Sequence, residues 1–291
     1  MGVCFTGPNI YSPSVLYDPN AGEYQMFYGG WQTPGQTNDC IYLRTSTDGT
    51  DWSSDYVTVM TPDVLRADYG SQIVVDHTND PSVAVDPTGQ EVMFFDAYAS
   101  TDGGVSHANS LWVGRSSDDG KTWSGIKPVD PRLPAGVTGP QNPCAVRAGS
   151  GSWRVYFSTS AGDVGTIWEV TLNPNLDPIT KAHAVFKSPN GFAQNPEVFK
   201  ADGKWTLLYD TNGDNPNGGY DIHVAQSTSP THWSSETVLS LPGADQFGMI
   251  ETPDVAKAAG GWQLYFAGTP SMPGPVSFAE NQYILRETLA H

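Results

Sequence analysis

The residues of this chain that could carry out chemistry gather around five prolines. Asp80 stands directly before one of them, Glu251 two positions before another, and Glu197 directly after a third. Two neighbouring carboxyl groups can act as a general acid and a general base, and amide side chains such as Asn142 and Asn195 can hydrogen-bond a hydroxylated ligand. The five prolines are Pro13, Pro81, Pro143, Pro196 and Pro253.

Each proline opens a repeated pattern of a short β-branched run, a turn, an aromatic-rich strand and a third strand. One copy begins at Asn79-Asp80-Pro81-Ser82-Val83 and continues, after a turn, with Val92-Met93-Phe94-Phe95-Asp96. A weaker fourth strand usually follows, and four short strands repeated around an axis are typical of a β-propeller. We therefore predict an all-β fold with few helices, a single five-bladed β-propeller with four antiparallel strands per blade over residues 1–291. The predicted blades are approximately 11–60, 79–130, 141–187, 194–241 and 251–291, with 1–10 as a candidate for closing the ring.

The prolines also predict which residues line the central channel. Proline lacks an N–H group, so we expect it at the first residue of each innermost strand, at the mouth of the channel. The residues before proline then form a ring, and the loops between second and third strands open at the same mouth. Aromatic rings beside carboxyl groups are a common composition of sugar sites. The candidate substrate-binding residues are Asn142, Asn195, Trp31, Tyr98, His107, Asp254 and Tyr220.

A simpler interpretation of this ring stays open. Its polar groups could satisfy one another and a few trapped water molecules, without binding any ligand.

The segment from Ser116 to Trp123 matches the pattern S-x-D-x-G-x-T-W, the Asp-box turn of sialidases and other propellers. It falls between a third and a fourth strand, on the face away from the mouth. We expect Asp118 to bond the backbone of its own turn and Trp123 to pack between strands, so the motif predicts a fold rather than a function.

The charge of the chain excludes two classes of partner. There are 31 acidic residues against 14 basic ones, a formal net charge of −17, which repels phosphate backbones and anionic membranes. No apolar stretch approaches the roughly 18 residues of a membrane span. We expect the protein to be secreted, periplasmic or extracellular after removal of a signal peptide, with a cytoplasmic location left open.

The three cysteines show no metal-binding spacing. A disulfide between Cys4 and Cys40 remains possible, but the pattern favours three thiols. We expect no required cofactor. Calcium is a weaker alternative, because Asp210, Asn212, Asp214 and Asp221 provide oxygen donors at positions 1, 3, 5 and 12 of an EF-hand-like spacing.

Two segments resemble the five-bladed glycoside hydrolases of families 43, 32, 62 and 68. The segment from Ile250 to Val255 is similar to the E-C-P-D segment of family 32, whose glutamate is the general acid, and Asn79-Asp80-Pro81 resembles the segments whose aspartate is a nucleophile or a base. The resemblance implies hydrolysis of an oligo- or polysaccharide by paired carboxyl groups. It implies Glu251 as general acid and Asp80 as base or nucleophile, with Glu197 as a second candidate for either role.

The chain departs from the usual pattern of these families, which carry acidic residues on three successive blades. The two blades before Glu251 carry Asn142 and Asn195 at the corresponding positions, and Asp80 lies two blades onward. Two other interpretations therefore remain: a glycan-binding, lectin-like propeller without catalysis, or a scaffold that binds protein partners through its acidic rim.

Overall fold

The computed structural model describes residues 1–19, 21–70, 73–100, 106–212, 219–233, 236–258, 261–270 and 282–289. These residues form five four-stranded antiparallel sheets, each a blade whose strands follow one another from the channel outwards. The predicted all-β, five-bladed propeller is confirmed.

The first three blades contain the strands that follow the N-terminal strand β1 (Gly2–Gly7). They are β2 (Asn9–Asp18), β3 (Glu23–Trp31), β4 (Cys40–Ser46) and β5 (Val57–Met60) in blade 1; β6 (Val74–Val85), β7 (Glu91–Ser100), β8 (Ala108–Ser116) and β9 (Ser124–Val129) in blade 2; and β10 (Thr138–Arg147), β11 (Trp153–Ala161), β12 (Thr166–Leu172) and β13 (His183–Lys187) in blade 3.

The last two blades complete the ring. They contain β14 (Gln194–Ala201), β15 (Lys204–Thr211), β16 (Asp221–Ser227) and β17 (Glu236–Val238) in blade 4, and β18 (Phe247–Ala258), β19 (Gly261–Pro270) and β20 (Gln282–Thr288) in blade 5.

The fourth strand of blade 5 comes from the other end of the chain. Strand β1 pairs antiparallel with β20, from Gly2 opposite Arg286 to Gly7 opposite Gln282. The amino group of Met1 adds an ion pair with Glu287 at 2.5 Å. The first and last described strands therefore hold each other in one sheet and close the ring.

The prolines do not stand where the sequence predicted. Each lies inside its innermost strand, Pro13 for example as the fifth residue of β2, and the pairing register shifts at each of the five. A β-bulge explains the position, because a bulged residue leaves the hydrogen-bond ladder and needs no N–H donor. The residue before each proline has a positive φ: 48° at Ser12, 49° at Asp80, 53° at Asn142, 48° at Asn195 and 56° at Thr252.

The apolar core is divided among the contacts between neighbouring blades. In the cluster between blades 1 and 2, Phe27, Phe95 and Trp112 are at most 1% exposed, and Trp123 packs edge-on against Phe27 with ring centroids 5.9 Å apart. Both faces of each blade are covered, which explains why the strands are rich in aromatic and β-branched residues instead of alternating polar and apolar ones.

The turn that carries Asp118 lies on the face away from the mouth. Asp118 accepts hydrogen bonds from Ser116 Oγ at 2.8 Å, Thr122 N at 2.9 Å and Thr122 Oγ1 at 2.7 Å, and Trp123 Nε1 donates to the carbonyl oxygen of Gly120 at 3.0 Å. The side chain of Asp118 is therefore committed to its own turn.

Helical structure is scarce in the described part of the chain. The helix α1 (Pro62–Tyr69) connects blades 1 and 2; Thr61 caps it by accepting a hydrogen bond from Val64 N at 3.2 Å, and Leu65 is buried against the blades. No described helix has the length and apolar character needed to cross a membrane. Cys4, Cys40 and Cys144 are all free thiols.

Candidate active site

Asp80 occupies the centre of the hydrogen bonding at the channel mouth. Ser12 of blade 1 donates its hydroxyl to Asp80 Oδ1, and Asn142 of blade 3 donates Nδ2 to Asp80 Oδ2 at 2.8 Å. Asn79 Nδ2 donates to the same oxygen at 3.1 Å. The bulge in each innermost strand turns these side chains towards the channel axis, so three blades meet at one carboxyl group.

Asp96, on β7, lies beside Asp80. It faces Asn79 across the strand pair, and its Oδ1 accepts a hydrogen bond from Asn142 N at 3.2 Å. The two carboxyl groups are hydrogen-bonded to each other, and burial raises the pKa of both. The charge of Asp80 raises the pKa of Asp96 further.

Glu251 lies two residues before the proline of blade 5. Its side chain is buried, and Gln282 Nε2 donates to Oε1 at 3.4 Å. Burial raises the pKa of Glu251 to about 8, with a further contribution from the charge of Asp80. Glu251 is therefore protonated at neutral pH, which is the state required of a general acid.

Asn195 and Asp210 form a second polar pair, on blade 4. Asn195 Nδ2 donates to Asp210 Oδ2 at 2.5 Å, and Thr252 N of blade 5 donates to both oxygens of Asp210 at 3.0 Å. Burial and the charge of Glu251 raise the pKa of Asp210. The hydroxyl of Thr252 in turn accepts a hydrogen bond from Ser12 N at 3.0 Å, which connects blade 5 to blade 1.

Glu197 and Asp254 lie in a deeper ring formed by the residues that follow the prolines. Each member accepts a hydrogen bond from a backbone N–H of the next blade: Asp254 Oδ2 from Val15 N at 2.9 Å, and Glu197 from the backbone of Val255. The remaining three bonds are Val83 N to Ser14 Oγ at 3.0 Å, Ala145 N to Ser82 Oγ at 2.9 Å and Val198 N to Cys144 Sγ at 3.2 Å.

The hydrogen bonds of this deeper ring link each innermost strand to the innermost strand of the next blade. Burial raises the pKa of Asp254 to about 7, and burial together with the charge of Asp254 raises that of Glu197. The cavity between the two rings has a volume of about 30 Å³, room for about two water molecules and too small for a sugar. A ligand at the mouth would therefore meet Asp80, in the ring of residues that precede the prolines, before it met Glu197.

No counter-charge offsets these carboxyl groups in the part of the chain that the structure describes. None of the ion pairs found there involves Asp80, Asp96, Glu197, Asp210, Glu251 or Asp254. Buried carboxyl groups without a cationic partner retain their protons to a higher pH than exposed ones, which is the common cause of the raised pKa values.

The predicted aromatic residues lie at different places around the mouth. Tyr98 is 39% exposed and contacts the rings of His77 and His107, at centroid distances of 6.4 and 5.5 Å. Nδ1 of His107 lies 2.5 Å from Asp76 Oδ2. These residues form a rim on blade 2.

On the other side of the mouth, Tyr220 stacks on Phe192 with ring centroids 5.5 Å apart. Burial and the charges of Glu251 and Asp210 raise the pKa of Tyr220, which places it beside the carboxyl groups. Trp31 is the last residue of β3, opposite Asn9.

The predicted calcium loop is only partly within the described residues. Asp214 lies outside them, and Asp210 is held by Asn195 and Thr252 as part of the mouth. In the described ranges, no group of three or more His, Cys, Asp or Glu side chains is placed to hold a metal ion.

The sequence interpretation gave Asp96 no role and named Asp210 only as a candidate calcium ligand, so it missed the contacts of these two residues with the ring at the mouth. They occupy equivalent positions on the second strands of blades 2 and 4, opposite Asn79 and Gln194. The signal was present in the repeat, because each follows a run of aromatic and aliphatic residues in the strand after the proline motif.

Comparison with known proteins supports the architecture. No protein-family model matches the sequence, and no curated protein matches it. Among solved structures, a thermostable family-43 glycoside hydrolase superposes with a TM-score of 0.73 at 16% identity, covering 100% of this chain and 92% of its own.

Two further structures have the same fold. A GH43_1 enzyme from Xanthomonas citri in complex with xylotriose gives a TM-score of 0.71 at 12% identity, covering 98% of this chain and 89% of its own. A GH43 endo-arabinanase from Bacillus licheniformis gives 0.70 at 17%, covering 99% and 96%. Because the sequence identities are this low, the likeness shows a shared fold over the length of the chain and no more.

Proposed function

We propose that this protein is a glycoside hydrolase that acts on an oligo- or polysaccharide. Glu251 is the general acid and Asp80 the base or nucleophile. The observation that carries the proposal is the difference between two carboxyl groups at one mouth. Glu251 is buried with a pKa raised to about 8 and one weak donor, whereas Asp80 accepts hydrogen bonds from three side chains.

This difference separates an acid from a base at the same pH. Glu251 holds a proton that it can give to the leaving oxygen of a glycosidic bond. Burial raises the pKa of Asp80 as well, but hydrogen bonds from Ser12, Asn79 and Asn142 oppose that effect. They stabilise the charged form of Asp80, which can then attack the anomeric carbon or take a proton from water. The charge of Asp80 also raises the pKa of Glu251, so the base helps to keep the acid protonated.

In this scheme the side-chain amides of blades 3 and 4 donate hydrogen bonds to the carboxyl groups. Asn142 donates Nδ2 to Asp80 and accepts from Ser158 Oγ at 2.6 Å, and Asn195 donates to Asp210. The side chains remaining for contact with a sugar are the aromatic ones, Tyr220 beside Glu251 and Tyr98 on the rim of blade 2.

The names of the structural neighbours suggest the first substrates to test. They include an enzyme complexed with xylotriose and an endo-arabinanase. Wild type, Glu251→Gln and Asp80→Asn would be assayed on aryl xylosides and arabinofuranosides and on xylan and arabinan. Glu23→Gln serves as the matched control, because Glu23 begins β3 on the opposite face.

We expect turnover by the wild type and the control, and a loss of about 10²-fold or more in both mouth variants, the typical contribution of a positioned acid or base. Full activity in Glu251→Gln would refute the assignment of the acid. Binding of a glycan by the wild type without turnover would instead support the lectin-like alternative.

A further inference from the structure

The carboxyl group of Asp96 is buried beside the proposed base and has no role in the scheme above. Its side chain is 1% exposed and comes from β7, whereas Asp80 comes from β6. Both reach Asn142 of blade 3, Asp96 through the backbone N–H at 3.2 Å and Asp80 through the side-chain amide at 2.8 Å. One residue therefore fixes the positions of both carboxyl groups.

Two carboxyl groups in hydrogen-bond contact cannot both be ionised at low cost, so the pair holds one proton at neutral pH. The hydrogen bonds decide which oxygen carries it. Asp80 accepts three hydrogen bonds from side chains, all of which favour its charged form, whereas Asp96 accepts one from a backbone N–H. The proton is therefore more stable on Asp96, which then donates a fourth hydrogen bond to Asp80.

Most other ionisable groups around the pair act in the same direction. Asp39, which precedes β4, and Tyr11 of β2 both approach the two carboxyl groups, and Tyr11 is hydrogen-bonded to Asp39. A negative charge at Asp39 disfavours a second charge on the pair, and burial raises the pKa of the Tyr11 phenol. Glu251 and Asp210 also interact with Asp80, and any negative charge on them acts in the same direction. His77 acts in the opposite direction when it is protonated, because its Nδ1 lies 3.2 Å from Asp39 Oδ2 and offsets the charge of Asp39.

We propose that Asp96 is a positioning residue that works as a neutral, protonated carboxylic acid and donates a hydrogen bond that holds Asp80 ionised and oriented. This inference rests on the proposed function for its consequence in catalysis, but not for its protonation state. The proton stays on Asp96 throughout and takes no part in the reaction.

The substitution Asp96→Asn tests the proposal, because an asparagine amide has the shape and the hydrogen bonds of a protonated aspartic acid. Its Nδ2 can donate to Asp80 while its Oδ1 accepts from Asn142 N. The variants Asp96→Asn, Asp96→Ala and Asp80→Asn would be compared with wild type through kcat/KM as a function of pH, on the aryl glycoside that the wild type turns over.

We expect Asp96→Asn to stay within about fivefold of wild type with its acidic limb unchanged, because a neutral donor replaces a neutral donor. Asp96→Ala should lose at least about tenfold, the consequence of removing one hydrogen bond to a charged group. Its acidic limb should move to higher pH, since Asp80 without that donor is protonated more easily. If Asp96→Asn is as inactive as Asp80→Asn, or if Asp96→Ala matches wild type, the proposal is overturned.

A second measurement needs no substrate. The slope of the unfolding free energy against pH gives the number of protons that the folded protein holds in excess of the unfolded chain. Between pH 6 and 7 an unfolded aspartate is ionised, so folded Asp96→Asn should hold one proton fewer than folded wild type. An unchanged proton count would refute the proposal, even if no glycan is hydrolysed. Loss of one proton in a protein without turnover would uphold a single proton shared by Asp80 and Asp96 and would reject the glycosidase.

Discussion

The buried carboxyl groups predict that this protein loses stability as the pH rises through neutrality. The folded protein holds the proton of Glu251 up to a pKa of about 8, whereas an ordinary glutamate releases it at 4.5. Between these values the folded state binds more protons than the unfolded state, so the unfolding free energy falls with increasing pH. The stabilisation is complete below pH 4.5 and is lost by about pH 8. This is opposite to a salt-bridged carboxylate, which stabilises the folded protein at neutral pH.

The structure also limits the size of the effect. The interval from 4.5 to about 8 spans about 3.5 pH units, which at 1.36 kcal/mol a unit gives an upper limit of about 5 kcal/mol for this one residue. Asp254, whose pKa rises from 3.8 to about 7, acts in the same direction. The total is comparable with the whole stability of many domains, about 5 to 15 kcal/mol.

Urea denaturation at pH 5 and pH 8, at constant ionic strength, measures this effect in wild type, Glu251→Gln and the control Glu23→Gln. The quantity compared is the change in unfolding free energy between the two pH values. We expect Glu251→Gln to reduce the decline by at least about 1 kcal/mol, because its amide has no proton to release. An increase in wild-type stability from pH 5 to pH 8, or an undiminished decline in Glu251→Gln, would refute the reasoning.

Three further predictions concern chemistry and architecture. Glu251→Gln should lose most activity on unactivated glycans. On aryl glycosides with strongly acidic leaving groups, which need no protonation, its activity should be within about tenfold of wild type. Equal losses on both substrates would contradict the role of Glu251 as acid. Asp118→Ala should lower the unfolding free energy by about 1 to 3 kcal/mol through loss of three hydrogen bonds in its turn, with kcat/KM unchanged because that turn lies on the opposite face. Deletion of residues 1–7 removes β1 and exposes the edge of β20. We therefore expect a lower thermal midpoint by calorimetry and aggregation on heating by light scattering. An unaltered midpoint would show that pairing of β1 with β20 contributes no stability.

The repeat in the sequence predicted the number of blades and the face on which the site lies, because proline and aromatic patterns report local structure and recur in each blade. The placement of proline was wrong, since two structures explain a missing N–H equally well, a strand start and a bulge. Residues 1–10 were predicted as a candidate for closing the ring, but local patterns carried no information about the register in which β1 pairs with β20.

The candidate site was predictable to a similar extent. Asp80 and Glu251 stand one and two positions before a proline, so the motifs made them candidates. Asp96 and Asp210 carry no motif of their own, and their importance comes from hydrogen bonds to the next blade, through Asn142 N and Thr252 N. The raised pKa of Glu251 could not be predicted from the sequence either, because it follows from burial and from the position of neighbouring charges.

The left-handed backbone before each proline has a consequence for how such a protein can evolve. Aspartate and asparagine are among the few residues other than glycine that adopt a positive φ readily, and Asp80, Asn142 and Asn195 all do so. Three of the five positions thus carry one of two side chains that differ only by an amide in place of a carboxylate. Asn142 and Asn195 need not be remnants of lost catalytic aspartates, since conformation alone accounts for them. Replacing asparagine by aspartate at one of these bulges would place a carboxylate on another blade without new backbone strain. The catalytic pair could therefore change its position around the ring during evolution by single substitutions.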